Sequence, residues 1–449
     1  MTDRKQEKGK VPHCPENKNE GEKRWKGRGR CAWSRMLIVF VSMSLFTGCR
    51  WPQFLENGMD VIRLEDLWKD WSHDDAEASD NEKGAAGAEQ DEGAGDTRDE
   101  KASNDGAAME GQDAQSEKDF KYAYAYLTEQ EKTAYDRLLT GILNYEETIE
   151  LDITDTDTLM KIFEAVMADR GDLFWVYYGE VTLRKTWSGK TMSLRVSPKY
   201  LMEEGEKEEK LRLVEATAKE WLSGLNMEAD DYEKAKYVFE TLAEQVEYKK
   251  DVPDQNNILS VFLNGETVCM GYACAAQYML RQLGIPSTIV TGEADNGKET
   301  ESHAWNLVKL NGAYCHMDVT WGDSMDDMDA EGKSVNYNYL CMTDMEILQT
   351  HKPAVSFSMP ECNSVEYNYY IREGLYFDSW DPDSIGALFA RSWKNGNTIL
   401  SVKFSDEELL HKTKEYFIEQ QKIADYCSGI QYVYYMESPE FCTITVNFS

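Results

Sequence analysis

The chain has 449 residues, enough for two or three domains on a prior of about 100 to 200 residues each. Its 82 acidic against 48 basic residues, a formal net charge of −34, argue against a nucleic-acid partner. Ten cysteines in this length argue against a small disulfide-held scaffold, and no CxxC pair has a partner pair that would make a zinc ribbon.

The first 35 residues are polar and basic, and Met36 to Gly48 (MLIVFVSMSLFTG) form an apolar run. Thirteen residues suit a signal-peptide core and fall short of the roughly 20 that span a bilayer as a helix. The run ends in LFTGC, which resembles a bacterial lipoprotein signal. That resemblance implies a signal peptide over 1–48, lipidation of Cys49, and a chain anchored in the cell membrane and facing the exterior. Loss of residues 1–48 would move the net charge from −34 to −40. Residues 49–71 carry Phe54, Val61, Leu64, Leu67 and Trp68, an amphipathic pattern that suits a membrane surface or an ordinary surface helix equally. Residues 72–119 contain no aromatic, Val, Ile, Leu or Pro, so this acidic linker has too little apolar surface to offset its chain entropy.

Apolar periodicity returns at Phe120. Thr128 and Glu131 have the spacing of a capping box, ahead of a helix bearing Tyr135, Leu138, Leu139 and Ile142. A second helix is expected over 157–167, with strands over 173–184 and 191–198, so residues 120–198 read as an N-terminal α+β subdomain. A charged helix over 200–221 and one capped by Asp230 and Glu233 then open a core unit over 199–350.

Within that unit, Cys269, Ala273, Ala276, Leu280 and Leu283 recur at helical spacing, and Gly284 with Pro286 ends the pattern. Cys269 therefore falls in a first helical turn, where free backbone amides and the helix dipole favour a thiolate. Strands are expected over Ser287–Ala294, Ser302–Leu310 and Ala313–Trp321, the last two flanking Asn311-Gly312, the dipeptide preferred by a type I′ hairpin. In the register of a two-residue turn, Trp305 faces Asp318, which makes His303 and Asp318 diagonal neighbours on one face. That face is opposite to the one carrying Ala304, Val308, Leu310, Cys315, Met317 and Val319. A cysteine, a histidine able to take its proton and a carboxylate able to orient the ring form the arrangement used for covalent acyl transfer.

The runs VCMGYA, HAWN and DVTWGD, with NYNYLCMTD after them, resemble the transglutaminase-like superfamily over about Tyr232–Thr343. The resemblance implies an α+β core related to papain-like cysteine proteases, in which a helix with an N-terminal Cys packs on an antiparallel sheet. It further implies Cys269 as nucleophile, His303 as general base and acid, and Asp318 as orienting carboxylate. Asn257, twelve residues upstream of the nucleophile, falls where such relatives often carry a polar residue, and is a candidate oxyanion donor together with the Cys269 amide. No cofactor and no metal are implied. The partial calcium-loop pattern at 327–332 lacks a Glu at its twelfth place, where Asn338 stands. Residues 364–449 read as a C-terminal α+β domain, with strands at YNYYIREGLYF, TILSVKF, QYVYYM and CTITVNF and a helix capped by Ser405 and Glu408. The seven cysteines beyond Cys49 are compatible with one free nucleophile and up to three bridges. The reading is a surface-anchored cysteine enzyme acting on protein or peptide amides, with hydrolysis favoured over amine transfer because bacterial members of the superfamily are often hydrolases. Its partners are a peptide substrate, the membrane through its lipid and the cell wall. The alternative is a non-catalytic envelope lipoprotein that binds a peptide or wall polymer.

Overall fold

The computed structural model describes residues 60–63, 120–188, 191–323 and 335–448. The signal-peptide, Cys49, linker and 327–332 readings lie outside these residues. Among the described residues no helix is long and apolar enough to cross a membrane. The architecture is mixed α and β, with three four-stranded, mainly antiparallel sheets.

The expected capping box opens α1 (Glu129–Leu143): the Thr128 hydroxyl accepts from the Glu131 amide, and the Glu131 carboxylate accepts from the Thr128 amide. Asp155 caps α2 (Thr156–Asp169), which packs on α1. Their sheet has the order β1 (Asp60–Arg63), β3 (Val176–Ser188), β4 (Thr191–Tyr200), β2 (Ile149–Leu151). Thus Asp60–Arg63, inside the stretch read as amphipathic, is an edge strand antiparallel to β3.

The core unit begins with α3 (Glu204–Trp221) and α4 (Asp231–Gln245), the latter capped by the Asp230 side chain. The short pair β5 (Glu247–Tyr248) and β6 (Glu266–Thr267) leads into α5 (Cys269–Gln282). Val268 is extended, at φ −115° and ψ −179°, so Cys269 is the first helical residue. Gly284, at φ +77°, takes the left-handed position beyond the helix end. The central sheet has the order β10 (His351–Pro353), β7 (Ser287–Asp295), β8 (Thr300–Leu310), β9 (Ala313–Met317). Asn311 and Gly312, at φ 46° and 92°, form the two-residue turn, with Leu310 opposite Ala313 and Val308 opposite Cys315. The strand expected to run on to Trp321 instead ends at Met317. Asp318 turns the chain by capping the helical turn Val319–Gly322, its carboxylate accepting from the Trp321 amide at 3.2 Å. Both faces of β8 are buried, since Trp305 and Leu307 are as covered as Ala304 and Val308.

One apolar core runs through α1, α2, α4, α5 and the central sheet. Gln277 of α5, itself buried, joins the two units: its amide donates to the Ala168 carbonyl at 2.7 Å, and its oxygen accepts from the Gly171 amide at 2.8 Å. A buried amide with both ends satisfied fixes how α2 sits on the central sheet.

The C-terminal unit has its own core around Phe389, Phe404, Phe417 and Val446. Its sheet has the order β11 (Tyr376–Phe377), β12 (Ile399–Phe404), β14 (Thr443–Phe448), β13 (Val433–Ser438) and is covered by α6 (Pro382–Lys394) and α7 (Glu407–Thr413). The strand expected across Tyr367–Phe377 is instead a helical turn, Tyr369–Arg372, followed by the two residues of β11. Asn368 caps that turn through the Tyr370 amide, and this local signal outweighs the β propensity of the tyrosines. The cap of α7 is Asp406, one residue beyond the expected Ser405, and accepts from the Leu409 amide at 2.9 Å. The seven described cysteines are all unbridged.

Candidate active site

Three elements bring the predicted side chains together. The start of α5 supplies Cys269, the middle of β8 supplies His303, and the cap position after β9 supplies Asp318. His303 Nε2 lies 2.8 Å from Asp318 Oδ2, and the same ring lines one cavity with Cys269, close enough for the thiol to raise its pKa. Because Nε2 faces the carboxylate, Nδ1 is the ring atom left for the sulfur. Asp318 is fully buried and His303 nearly so, while Cys269 is half-buried at the edge of a cavity.

The electrostatics follow from that packing. Burial alone would lower the His303 pKa, but the Asp318 charge and the hydrogen bonds to Asp318 and Cys269 outweigh it and raise it to about 10. Burial would likewise push the Asp318 carboxyl up, yet the His303 charge and the hydrogen bonds from His303 and His351 hold it far below the usual carboxylate range. The site is therefore built to carry an imidazolium beside a carboxylate at neutral pH. The neighbouring Cys274 is buried one turn along the helix, and burial drives its thiol well above the ordinary value.

Asp318 has a further partner that sequence reasoning missed. His351, at the start of β10, places Nε2 3.1 Å from the same Oδ2, and its Nδ1 lies 2.8 Å from Thr350 Oγ1. Its ring packs edge-on against Trp305 and tilted against Trp321, with centroids 5.1 and 4.7 Å away. Trp305 continues the network by donating from Nε1 to His316 Nδ1 at 3.1 Å, and His316 Nε2 lies 3.0 Å from Asp344 Oδ1. His351 stands thirty-three positions from Asp318 in the context QTHKPAV, which looks like a loop. The rarity of histidine, six in the chain with three of them in this network, was the available signal.

Among the described residues, two groups have metal-ligating composition: His303, Asp318 and His351, and His316, Asp344 and Cys362. In both, the histidine nitrogens already meet a carboxylate oxygen at hydrogen-bond distance, so these donors satisfy one another.

The cavity beside Cys269 has a volume of about 300 Å³. Asn257 lines it, as do Met160, Phe163 and Met167 of α2 and Ile289 of β7, so the N-terminal subdomain supplies one wall. Asn257 is buried and its Oδ1 accepts from the Leu259 amide at 2.9 Å, which turns its NH₂ away from that contact. Gly271, two residues into the helix from the thiol, packs against Thr267: a Cβ there would meet Thr267 Oγ1 at 1.9 Å and the Gln255 carbonyl at 3.0 Å.

Residues 219–319 match the family model described as the transglutaminase-like superfamily. No curated protein matches the chain. Among solved structures, the crystal structure of a TGase is similar at 12% identity and a TM-score of 0.23, over 42% of this chain and 53% of that one. A candidate cysteine protease from Cytophaga hutchinsonii is similar at 13% identity and a TM-score of 0.22, over 31% of this chain and 62% of that one. The chain thus spans between half and two thirds of the length of these two structures.

Proposed function

We propose, from the match of residues 219–319 to the transglutaminase-like superfamily model, that the chain is a cysteine enzyme that cleaves protein or peptide amides through an acyl-enzyme. The observation that carries this is the imidazole of His303, which lines the same cavity as Cys269 and lies 2.8 Å from a buried carboxylate. The Cys269 thiolate attacks the amide carbonyl carbon, forming a C–S bond while the carbonyl electrons move onto oxygen. The Cys269 amide at the helix start, with Asn257, stabilises that oxyanion. As the tetrahedral adduct collapses, the C–N bond breaks and the His303 imidazolium gives its proton to the departing amine. Water then attacks the thioester, His303 takes its proton, and the thiolate leaves. An amine in place of water would give transfer; hydrolysis is the favoured outcome, as the family resemblance implies. The place of action is the cell exterior, with the chain held to the membrane by a lipid on Cys49 and the acidic linker spacing the enzyme from the bilayer; the LFTGC run supports this.

The test is to incubate the full chain with cell-surface proteins and a labelled primary amine in ¹⁸O water, and to analyse the products by mass spectrometry. Cleavage or deamidation with one ¹⁸O incorporated, lost in Cys269→Ala, is expected. Amine incorporation in place of ¹⁸O would overturn the preference for hydrolysis, and identical product sets from wild type and Cys269→Ala would overturn the enzyme itself.

A further inference from the structure

The carboxylate of Asp318 is shared. Oδ1 accepts from the Trp321 amide, whereas Oδ2 faces two histidine nitrogens, His303 Nε2 at 2.8 Å and His351 Nε2 at 3.1 Å. An ionised carboxylate only accepts, so both rings present Nε2–H to it. In a neutral His351 this leaves Nδ1 as an acceptor, and the Thr350 hydroxyl 2.8 Å away is the group able to donate to it. The side chain of His351 is fully buried, and its ring is enclosed by Trp305, Trp321 and Tyr339, so neither its rotamer nor its tautomer has an alternative partner in view.

We propose that His351 is a positioning residue for the Cys269–His303–Asp318 site: as a neutral Nε2–H donor it fixes the Asp318 carboxylate so that one oxygen stays aimed at His303. This rests on the cysteine-enzyme reading above. The two rings of Oδ2 are not equivalent. His303 touches the nucleophile and is held protonated, whereas His351 touches no reacting atom. Its own pKa is lowered, first by burial and then by the His303 and His316 charges, with Asp318 alone pulling the other way. The groups facing it are therefore Asp318, His303 and His316, with the Tyr339 ring and Thr350 alongside. The pairing has a consequence for pH. When His351 takes a second proton, below the ordinary histidine value of about 6.5, a second cation competes for Oδ2 and opposes the His303 imidazolium beside it.

The test is the pH profile of Cys269 alkylation by iodoacetamide, read by peptide mass spectrometry on the full chain, for wild type, His351→Gln, His351→Phe and Thr350→Val. Glutamine can place an amide N–H where Nε2–H was, but cannot titrate. Expected is a plateau rate for His351→Gln within about threefold of wild type, with an acid limb that falls less steeply because the His351 ionisation is gone. His351→Phe, which keeps an aromatic ring and loses the donor, should react at least about tenfold more slowly at pH 7.5. Thr350→Val, which keeps His351 and loses the tautomer-fixing hydroxyl, should fall between these two. If His351→Phe does not fold, the Gln and Val profiles alone decide the matter: both superimposing on wild type, acid limb included, would overturn the proposal. Folded His351→Phe with the wild-type rate would also overturn it. Should wild-type Cys269 alkylate no faster than Cys274, the enzyme reading itself fails, which is a different result from a reactive Cys269 indifferent to residue 351.

Discussion

Replacing Asp318 with Asn changes one oxygen for an NH₂ group in a fully buried position and removes the charge on which His303 depends. The amide cannot reproduce the native contacts in either orientation. With its oxygen towards the two histidines, its NH₂ confronts the Trp321 amide donor; with the NH₂ towards the histidines, it confronts two N–H groups. The larger effect is electrostatic. Burial lowers the His303 pKa and the Asp318 charge is the main influence that raises it to about 10, so without the charge the ring falls to its ordinary value of about 6.5 or below. At pH 7.5, one unit above that value, only about one ring in ten would carry the proton, against nearly every ring in the wild type, a loss of roughly 1.4 kcal/mol of preference or more. The loss in Cys269 reactivity at pH 7.5 is therefore expected to be about tenfold or more. The assay is stopped-flow alkylation of Cys269 in folded Asp318→Asn, with fold integrity verified by circular dichroism. A rate within threefold of wild type would refute the argument that this carboxylate sustains the reactive pair.

Other expectations follow from the same geometry. Asn257→Ala should lower kcat by about 10 to 10³ with a smaller change in KM, as befits a donor to developing negative charge; an effect on KM alone would remove Asn257 from that role. Gly271→Ala should lower both melting temperature and Cys269 reactivity, because its Cβ would drive into Thr267 and the Gln255 carbonyl at the base of the helix start, and wild-type behaviour of this variant in thermal melts and alkylation would contradict the packing described. His303, with its pKa raised to about 10, contributes stability that is fully present below pH 6.5 and is lost as pH rises through about 10. The melting-temperature advantage of wild type over His303→Gln should therefore shrink across that window, and a constant difference would speak against the imidazolium.

Much of the site was legible because its signals are local. The helix start at Cys269 follows from apolar spacing and a Gly stop, and the hairpin register from Asn311-Gly312, two residues whose turn geometry fixes every pairing above them. The expectation that His303 and Asp318 would meet rested on that register, although Asp318 does so as a helix cap rather than a strand residue. What stayed hidden depends on long-range packing. His351 reaches Asp318 only because β10 joins the far edge of the sheet beside β7, a pairing that three residues of sequence do not announce. Gln277 reads as a polar position in a helix, and only the docking of α2 turns it into a buried bridge. In the C-terminal unit, tyrosine-rich runs favour strands by propensity, and Asn368 and Asp406 reset the local structure through caps of one side chain each.

Acyl transfer at this site requires Cys269 to be an activated nucleophile. An alkyne-tagged iodoacetamide at substoichiometric dose, applied to the full chain at pH 7.5 and read by peptide mapping, measures this directly, with the more sheltered Cys274 and the half-buried Cys442 as internal references. Selective labelling of Cys269, abolished by His303→Ala, is the predicted result. Labelling of Cys269 no faster than Cys442, or unchanged in His303→Ala, would contradict it.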